Sequence, residues 1–232
     1  MAKYKRILVK ISGEALAGAR GCGIDSVACG QVAQQIKSIA GFGVQVGVVV
    51  GGGNFWRGRT GENMDRVTAD QIGMLATVMN ALALSDALTS CGVENKVYSA
   101  VTIDKVTSYN VADARKTLEQ GGVAVFGGGT GAPFFTTDTA VVLRACEMKA
   151  DAVFFAKAVD GIYDSDPKEN PTAKKFDEIS FDEVIAKNLK ALDVTAAAMC
   201  REYGISAVCF GKDEKDGLLR ILQGEKLGTI IK

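Results

Sequence analysis

The sequence predicts an α/β protein, a single-domain α/β/α sandwich on a mostly parallel central sheet, and three features carry that prediction. Seven or eight strand-length apolar runs alternate with segments of helical apolar spacing, the pattern of parallel strands joined by crossover helices. Two of those runs, Gln45 to Val50 and Val123 to Phe126, empty directly into glycine-rich loops, where open parallel sheets meet their ligands. No linker, repeat or shift of composition divides residues 1–232, and a hydrophobic share of 47% is enough for one large core.

Arg6 to Ile11 is the first strand and delivers Lys10, Ser12 and Gly13 to its carboxyl edge. There Lys10 would meet a phosphate, or else simply extend its ammonium into water from a packed stem. Ser26 to Ala40 carries Val32, Ile36 and Ile39 at helical spacing with glutamines between, a surface helix closed by Gly41 and Gly43. Gln45 to Val50 is a buried strand running into Gly51, Gly52, Gly53 and Asn54, after which Arg57 could hold a phosphate with two nitrogens.

Thr68 to Cys91 opens with a capping-box pattern, Thr68 to Gln71, and continues as one long helix. Ile72, Leu75, Met79 and Leu82 cover one face while Met74, Val78, Leu84 and Leu88 fall elsewhere, so it is either fully buried or shared with another subunit. An oligomer contact is expected. Asp70, in its first turn, reads as an ordinary helix N-terminal acid, with a ribose-hydroxyl acceptor as the alternative.

Lys96 to Thr102 is a strand, Val111 to Gln120 a helix, and Val123 to Phe126 the strand feeding the stretch GGGTGAPFFTTD from Gly127 to Asp138. That stretch reads as a phosphate cradle rather than a plain turn. Gly127, Gly128, Gly129 and Gly131 lack the Cβ atoms that would keep backbone N–H groups from turning toward one anion, and Thr130, Thr136 and Thr137 add hydroxyls. Thr136 and Thr137 also stand where the helix Thr139 to Lys149 would begin. Beyond the strand Ala152 to Ala156, the loop from Val159 to Thr172 offers Tyr163 for stacking on a ring, or is a solvated turn. Ser180 to Glu183 is a second capping box, and Asp193 to Tyr203, Ser206 to Phe210, Asp216 to Gln223 and Thr229 to Ile231 complete the alternation.

Composition removes whole classes of chemistry. Lys plus Arg equals Asp plus Glu at 27 each, so no basic field exists to hold nucleic acid or an anionic membrane. The six cysteines include no CxxC pair and read mainly as core thiols of a reducing cytosol. With no histidine, zinc spacings cannot be completed and Ser-His-Asp or Cys-His nucleophiles are excluded. Lys10 and Glu14 break the signal-peptide pattern of the first residues, no long uninterrupted apolar run suggests a membrane span, and a cytoplasmic location is expected. No GxxxxGK[ST] is present, and although Gly127, Gly129 and Ala132 match GxGxxA, Pro133 and Phe134 stand where a dinucleotide-binding helix should already run.

LVKISGEAL from Leu8, GGGNFWRG from Gly51, TGAPFFTTD from Thr130 and VDGIYDSDP from Val159 together resemble the bacterial uridylate (UMP) kinases of the amino-acid kinase family, across essentially the whole chain. The first and fourth motifs are shared with aspartate, glutamate and carbamate kinases, whereas the Arg57 loop and PFFTTD are more specific to UMP kinases. The resemblance implies ATP-dependent phosphorylation of UMP to UDP in pyrimidine nucleotide biosynthesis, with Mg²⁺ accompanying ATP. By the same resemblance Lys10 would be the cation on the transferring group, and Ile11, Ser12, Gly13 and Gly53 would contact ATP, with Tyr163 and Asp166 on the ATP side. Gly52, Asp70, Thr130, Gly131, Ala132, Pro133, Phe134, Phe135, Thr136 and Thr137 would hold UMP, Arg57 would touch the phosphates, and Asp138 and Asp193 would order the site.

The resemblance further implies UTP as a feedback inhibitor and a homohexamer. Activation by GTP is expected to be weak, because no Lys or Arg occurs from Thr68 through Asn95 to meet a triphosphate on the long helix. One departure stands out: before Val159 this chain reads AKA where many UMP kinases carry KATK or a longer Asn-bearing version, which leaves Lys157 without an inherited role. The alternatives are a non-catalytic oxoanion- or nucleotide-binding relative like the molybdenum storage proteins, or another amino-acid kinase. Lys10, Arg57 and Asp70 together favour the UMP kinase.

Overall fold

The computed structural model describes residues 4–56, 64–167, 169–189, 192–212 and 214–232. Its centre is β1 (Arg6–Ile11), flanked by β2 (Gln45–Val50) and β5 (Ala152–Lys157), both parallel to it. Outward on one side come β4 (Val123–Gly127) and β3 (Asn95–Ser99), also parallel. On the other side lie β9 (Ser206–Gly211), parallel to β5, then β10 (Thr229–Ile231), antiparallel to β9, and β8 (Glu178–Ile179) at the edge. Among the described residues this makes an eight-stranded sheet, and the separate pair β6 (Ile162–Tyr163) and β7 (Lys175–Phe176) forms a small antiparallel ribbon.

The period-two geometry of strands sorts the aliphatic runs onto two faces. Leu8, Val49, Phe126 and Phe155 enter one core with α4 (Val111–Glu119), α5 (Thr137–Met148), α6 (Phe181–Ala186) and α7 (Val194–Tyr203). Ile7, Val9, Val48 and Phe154 enter the other, with α2 (Ser26–Gly41), α3 (Arg66–Ser90) and α8 (Gly217–Leu222). Both layers are needed: Leu8 and Ile7 are each fully buried, and truncating either to Ala costs about 2–5 kcal/mol. The expected α/β/α sandwich is therefore the observed one.

Several boundaries differ for local reasons. A short helix, α1 (Gly13–Ala17), follows β1 where the sequence shows too few residues for a period to register. α3 begins at Arg66 rather than Thr68, because the Asp65 side chain accepts from the Thr68 N–H; Thr68 is thus the capped residue, not the cap. The Val159 to Thr172 loop contains β6, which pairs with β7 beyond it. Of the six cysteines Cys29, Cys200 and Cys209 are buried, but Cys22 is exposed.

α3 has two unlike sides. Met74, Val78, Leu84 and Leu88 are buried, while Leu75, Met79 and Leu82 are 51%, 44% and 47% exposed, so the helix is not fully buried within the chain. By length and composition alone α3 could cross a membrane, but its Ala81, Leu84 and Leu88 pack in the core that holds Val32 and Ile36 of α2.

Candidate active site

The carboxyl ends of β1, β2 and β4 open into a cleft of about 880 Å³. Lys10, Gly13, Gly52, Asp70, Thr136 and Asp138 are among its lining residues. A second groove, about 1000 Å³, lies between α2 and α3 and contains none of the motif residues.

The first glycine loop follows β2 and is made of close approaches. The Gly51 N–H donates to the Ile11 carbonyl at 2.8 Å, and the Gly51 carbonyl accepts from the buried Asn80 amide of α3 at 2.7 Å. Asn80 and Asn54 exchange two further bonds, at 2.7 and 3.0 Å, so the loop is pinned to α3 with its buried amides satisfied. A Cβ on Gly13 would stand 2.2 Å from the Asn54 Oδ1, and one on Gly52 would stand 2.8 Å from the Gly73 carbonyl. These positions are glycine because there is no room.

The second loop follows β4 and is made of unusual backbone angles. Gly128, Gly129 and Gly131 have φ of 80°, 60° and 84°. The Gly128 N–H donates to the Thr77 hydroxyl of α3 at 2.7 Å, and the Gly131 N–H closes a turn on the Gly128 carbonyl. Phe134 is also left-handed, at φ 72°, and its N–H donates to Asp70 Oδ2 at 2.7 Å. The same oxygen accepts from Arg66 Nε at 2.8 Å, and the Arg66 guanidinium lies over the Phe134 ring. Asp70 is therefore not an ordinary helix acid: Asp65 takes the capping role, and Asp70 fastens the second glycine loop to α3.

The loop ends at α5, whose first N–H groups, those of Asp138 and Thr139, donate to the Thr136 hydroxyl. Thr136 in turn donates to the Asp193 carboxylate, which also accepts from the Thr139 hydroxyl and, at 2.7 Å, from the Ala196 N–H. Asp193 thus caps α7 while clasping the start of α5.

Asp138 is the electrostatic centre. Its Oδ1 lies 3.4 Å from Lys10 Nζ and its Oδ2 lies 2.8 Å from Lys157 Nζ. Burial would raise its pKa, but the two ammonium groups, Lys10 first, outweigh burial and hold the carboxyl below its ordinary value. One carboxylate between two ammonium groups makes a cluster of net positive charge, of which Lys10 and Asp138 line the cleft. Among the described residues no group of three potential metal ligands occurs, and both oxygens of Asp138 are taken by ammonium groups. A divalent cation fits this donor set only when it arrives on the phosphates of a nucleotide, the usual manner of Mg²⁺.

Residues 5–211 match the Amino acid kinase family. The chain belongs to that family. It is 48% identical over 234 residues to the uridylate kinase of Parabacteroides distasonis, covering 100% of this chain and 99% of that one. It is 49% identical to the uridylate kinase of Porphyromonas gingivalis, covering 100% and 98%. Among solved structures it is similar to the UMP kinase from Bacillus anthracis, with a TM-score of 0.95 at 40% identity over 99% of this chain and 96% of that one. The UMP kinase from Ureaplasma parvum gives 0.93 at 38% identity over 99% of each.

In this amino acid kinase family member the cleft brings together Lys10, Ser12, Gly13, Gly52, Gly53, Asp70, Thr130, Ala132, Phe135, Thr136, Thr137, Asp138 and Asp193. Ile11 supports it through the Gly51 bond, and Gly131, Pro133 and Phe134 lie on the loop that forms its wall. Tyr163 and Asp166 do not line it: Tyr163 sits in the β6–β7 ribbon with its hydroxyl on Asp160 at 2.7 Å. Arg57 lies outside the described residues. Sequence reasoning passed over Arg66 and left Lys157 without a role. Lys157 carried a signal all the same, since it ends an apolar parallel strand, as Lys10 stands one residue before the end of β1.

Proposed function

We propose that this amino acid kinase transfers the γ-phosphoryl group of ATP to UMP, giving UDP. The observation that carries the reading is the Lys10–Asp138 pair, set at the strand ends between two loops suited to anions, in a chain without histidine. Its similarity over the full length to curated uridylate kinases supplies the acceptor.

A phosphate monoester with a second pKa of about 6 is dianionic at neutral pH, so no general base is required. An oxygen of the UMP phosphate attacks the γ-phosphorus, the bond from that phosphorus to the β–γ bridging oxygen breaks, and its electron pair leaves on ADP. What the protein supplies is alignment and positive charge. Lys10 meets the transferring group. Ile11, Ser12, Gly13 and Gly53 hold ATP, with Mg²⁺ entering as part of that substrate and Tyr163 and Asp166 on the donor side. Gly52, Asp70 and the segment Thr130 to Thr137 hold UMP, Arg57 contacts phosphate, and Asp138 and Asp193 keep Lys10 and the start of α5 in place. UTP inhibits by occupying the UMP site, and the enzyme works in the cytoplasm in pyrimidine nucleotide biosynthesis.

The exposed stripe Leu75, Met79 and Leu82 on α3 supports assembly with further copies of the chain, read here as a homohexamer. GTP activation is weak in this reading, because α3 carries no Lys or Arg from Thr68 onward, its Arg66 is paired with Asp70 at 2.8 Å, and Lys96 already pairs with Asp113 at 2.7 Å. ATP consumption measured with UMP, CMP, aspartate, glutamate and carbamate tests the proposal. UMP alone should support turnover, while preference for an amino acid or carbamate, or metal oxide held by the purified protein, would overturn it.

A further inference from the structure

Arg66 is the first residue of α3 and lines the cleft, yet no role given above needs it. Its position works against the helix. The N-terminal end of a helix carries the positive pole of the backbone dipole, which favours an acid there and disfavours a guanidinium. Two contacts hold the cation at that end all the same. Arg66 Nε lies 2.8 Å from Asp70 Oδ2, one turn along, and the guanidinium carbon lies 5.6 Å from the centre of the Phe134 ring.

Both contacts fasten the second glycine loop. Phe134 holds φ at 72°, a left-handed backbone that is uncommon and costly for a bulky side chain and persists only where its surroundings impose it. Those surroundings are Asp70, which accepts from the Phe134 N–H at 2.7 Å, and Arg66, which covers the ring. Phe134 is 61% exposed, so core packing does not hold it. The two donors share one carboxylate oxygen, Oδ2, and neither takes Oδ1. Arg66 thereby fixes how the carboxylate is turned and which of its oxygens remains for a ligand. A planar guanidinium can pair and stack at once, which an ammonium group cannot.

We propose that Arg66 is a positioning residue for acceptor recognition: by clasping Asp70 and Phe134 together it sets the remaining oxygen of Asp70 to read the ribose hydroxyls of a nucleoside monophosphate. The inference rests on the UMP kinase reading, in which Asp70 and this loop hold the acceptor. Arg66 acts through Asp70, so its loss weakens and blurs acceptor binding without slowing the transfer step.

The test compares Arg66→Met and Arg66→Gln with the parent protein and with Asp70→Asn. Both Arg66 variants should raise the KM for UMP severalfold, with kcat and the KM for ATP within about twofold of the parent. The preference for UMP over dUMP, taken as a ratio of kcat/KM values, should fall at least about fivefold, because a carboxylate no longer held in place reads the sugar poorly. Arg66→Met added to Asp70→Asn should change that ratio by less than about twofold, since the group it acts through is already gone. A fully additive double variant or an unchanged ratio in the single variants overturns the proposal. So does a parent protein that uses dUMP as well as UMP, a result that leaves the UMP kinase reading in place. Hydrogen exchange at the Phe134 amide needs no substrate and should quicken at least about tenfold in both Arg66 variants, and an unchanged rate also overturns the proposal. Failure of the parent to use UMP, with exchange quickened as expected, refutes the functional reading while the clasp itself stands.

Discussion

The two glycine-rich loops look alike in sequence and differ in kind. The loop after β2 uses glycine because its neighbours leave no space: the Gly73 carbonyl would be 2.8 Å from a Cβ on Gly52. The loop after β4 also uses glycine because its backbone is left-handed: around Gly129 the nearest atom to an added Cβ is 3.7 Å away, although at Gly128 and Gly131 an added Cβ would stand 2.8 and 3.0 Å from the Ala100 backbone. Both rest on α3, the first through Asn80 and the second through Thr77 and Asp70. The first buries Gly51 and Asn54 and exposes Phe55 at 40%, whereas the second carries Phe134 and Phe135 at 61% and 49% exposed. Two loops that line one cleft are thus fastened to α3 by different residues.

The strongest way to break this arrangement is to remove the charge between the loops, since Asp138 ends the second loop and Lys10 neighbours Ile11, whose carbonyl holds the Gly51 N–H of the first. Asp138→Asn should cost about 3–5 kcal/mol, the usual penalty for stripping one partner from a buried ion pair, read as a loss of urea midpoint at neutral pH. The pH dependence has a definite sign. The Asp138 carboxyl is depressed in the folded state, so its stabilisation is present above the unfolded carboxylate pKa of about 3.9 and is lost as pH falls through the lower folded value. The gap between parent and Asn variant should therefore narrow in acid, and a gap independent of pH would remove Asp138 from this role.

Next in size, Lys10→Ala should lower kcat by more than about a hundredfold with little change in melting temperature, because the charge serves mainly the transition state. Steady-state rates with both nucleotides saturating measure it, and a nearly normal kcat would separate the loops from the chemistry.

A paired substitution sharpens the contrast directly. Gly52→Ala should cost about 3 kcal/mol, because α3 must move, whereas Gly129→Ala should cost about 1 kcal/mol, the conformational penalty alone. Equal losses in thermal unfolding would mean that the two loops are glycine-rich for one reason.

The smallest effect expected is that of Asp70→Asn, a severalfold rise in the KM for UMP with that for ATP unchanged, since the residue fastens only the second loop. An equal rise for both nucleotides would show that the two loops move together.

The alternation of apolar runs was enough to determine the sandwich, because a strand buried on both faces has to be aliphatic throughout and a crossover helix has to show a stripe. Glycine clusters after Val50 and Phe126 likewise marked both loops from composition alone, and Ser180 announced its helix through side-chain chemistry that acts within four residues. Contacts between distant segments were not legible. Asp70 looked like a helix acid because its partner, the Phe134 N–H, is 64 positions away, and Asp193 reaches Thr136 across 57. Lys157 and Asp138 lie on neighbouring elements, but only the packing of α5 on β5 aims one at the other. Local propensity is a property of sequence; where a charge ends up, and which other charges it meets there, depends on how the layers close over it.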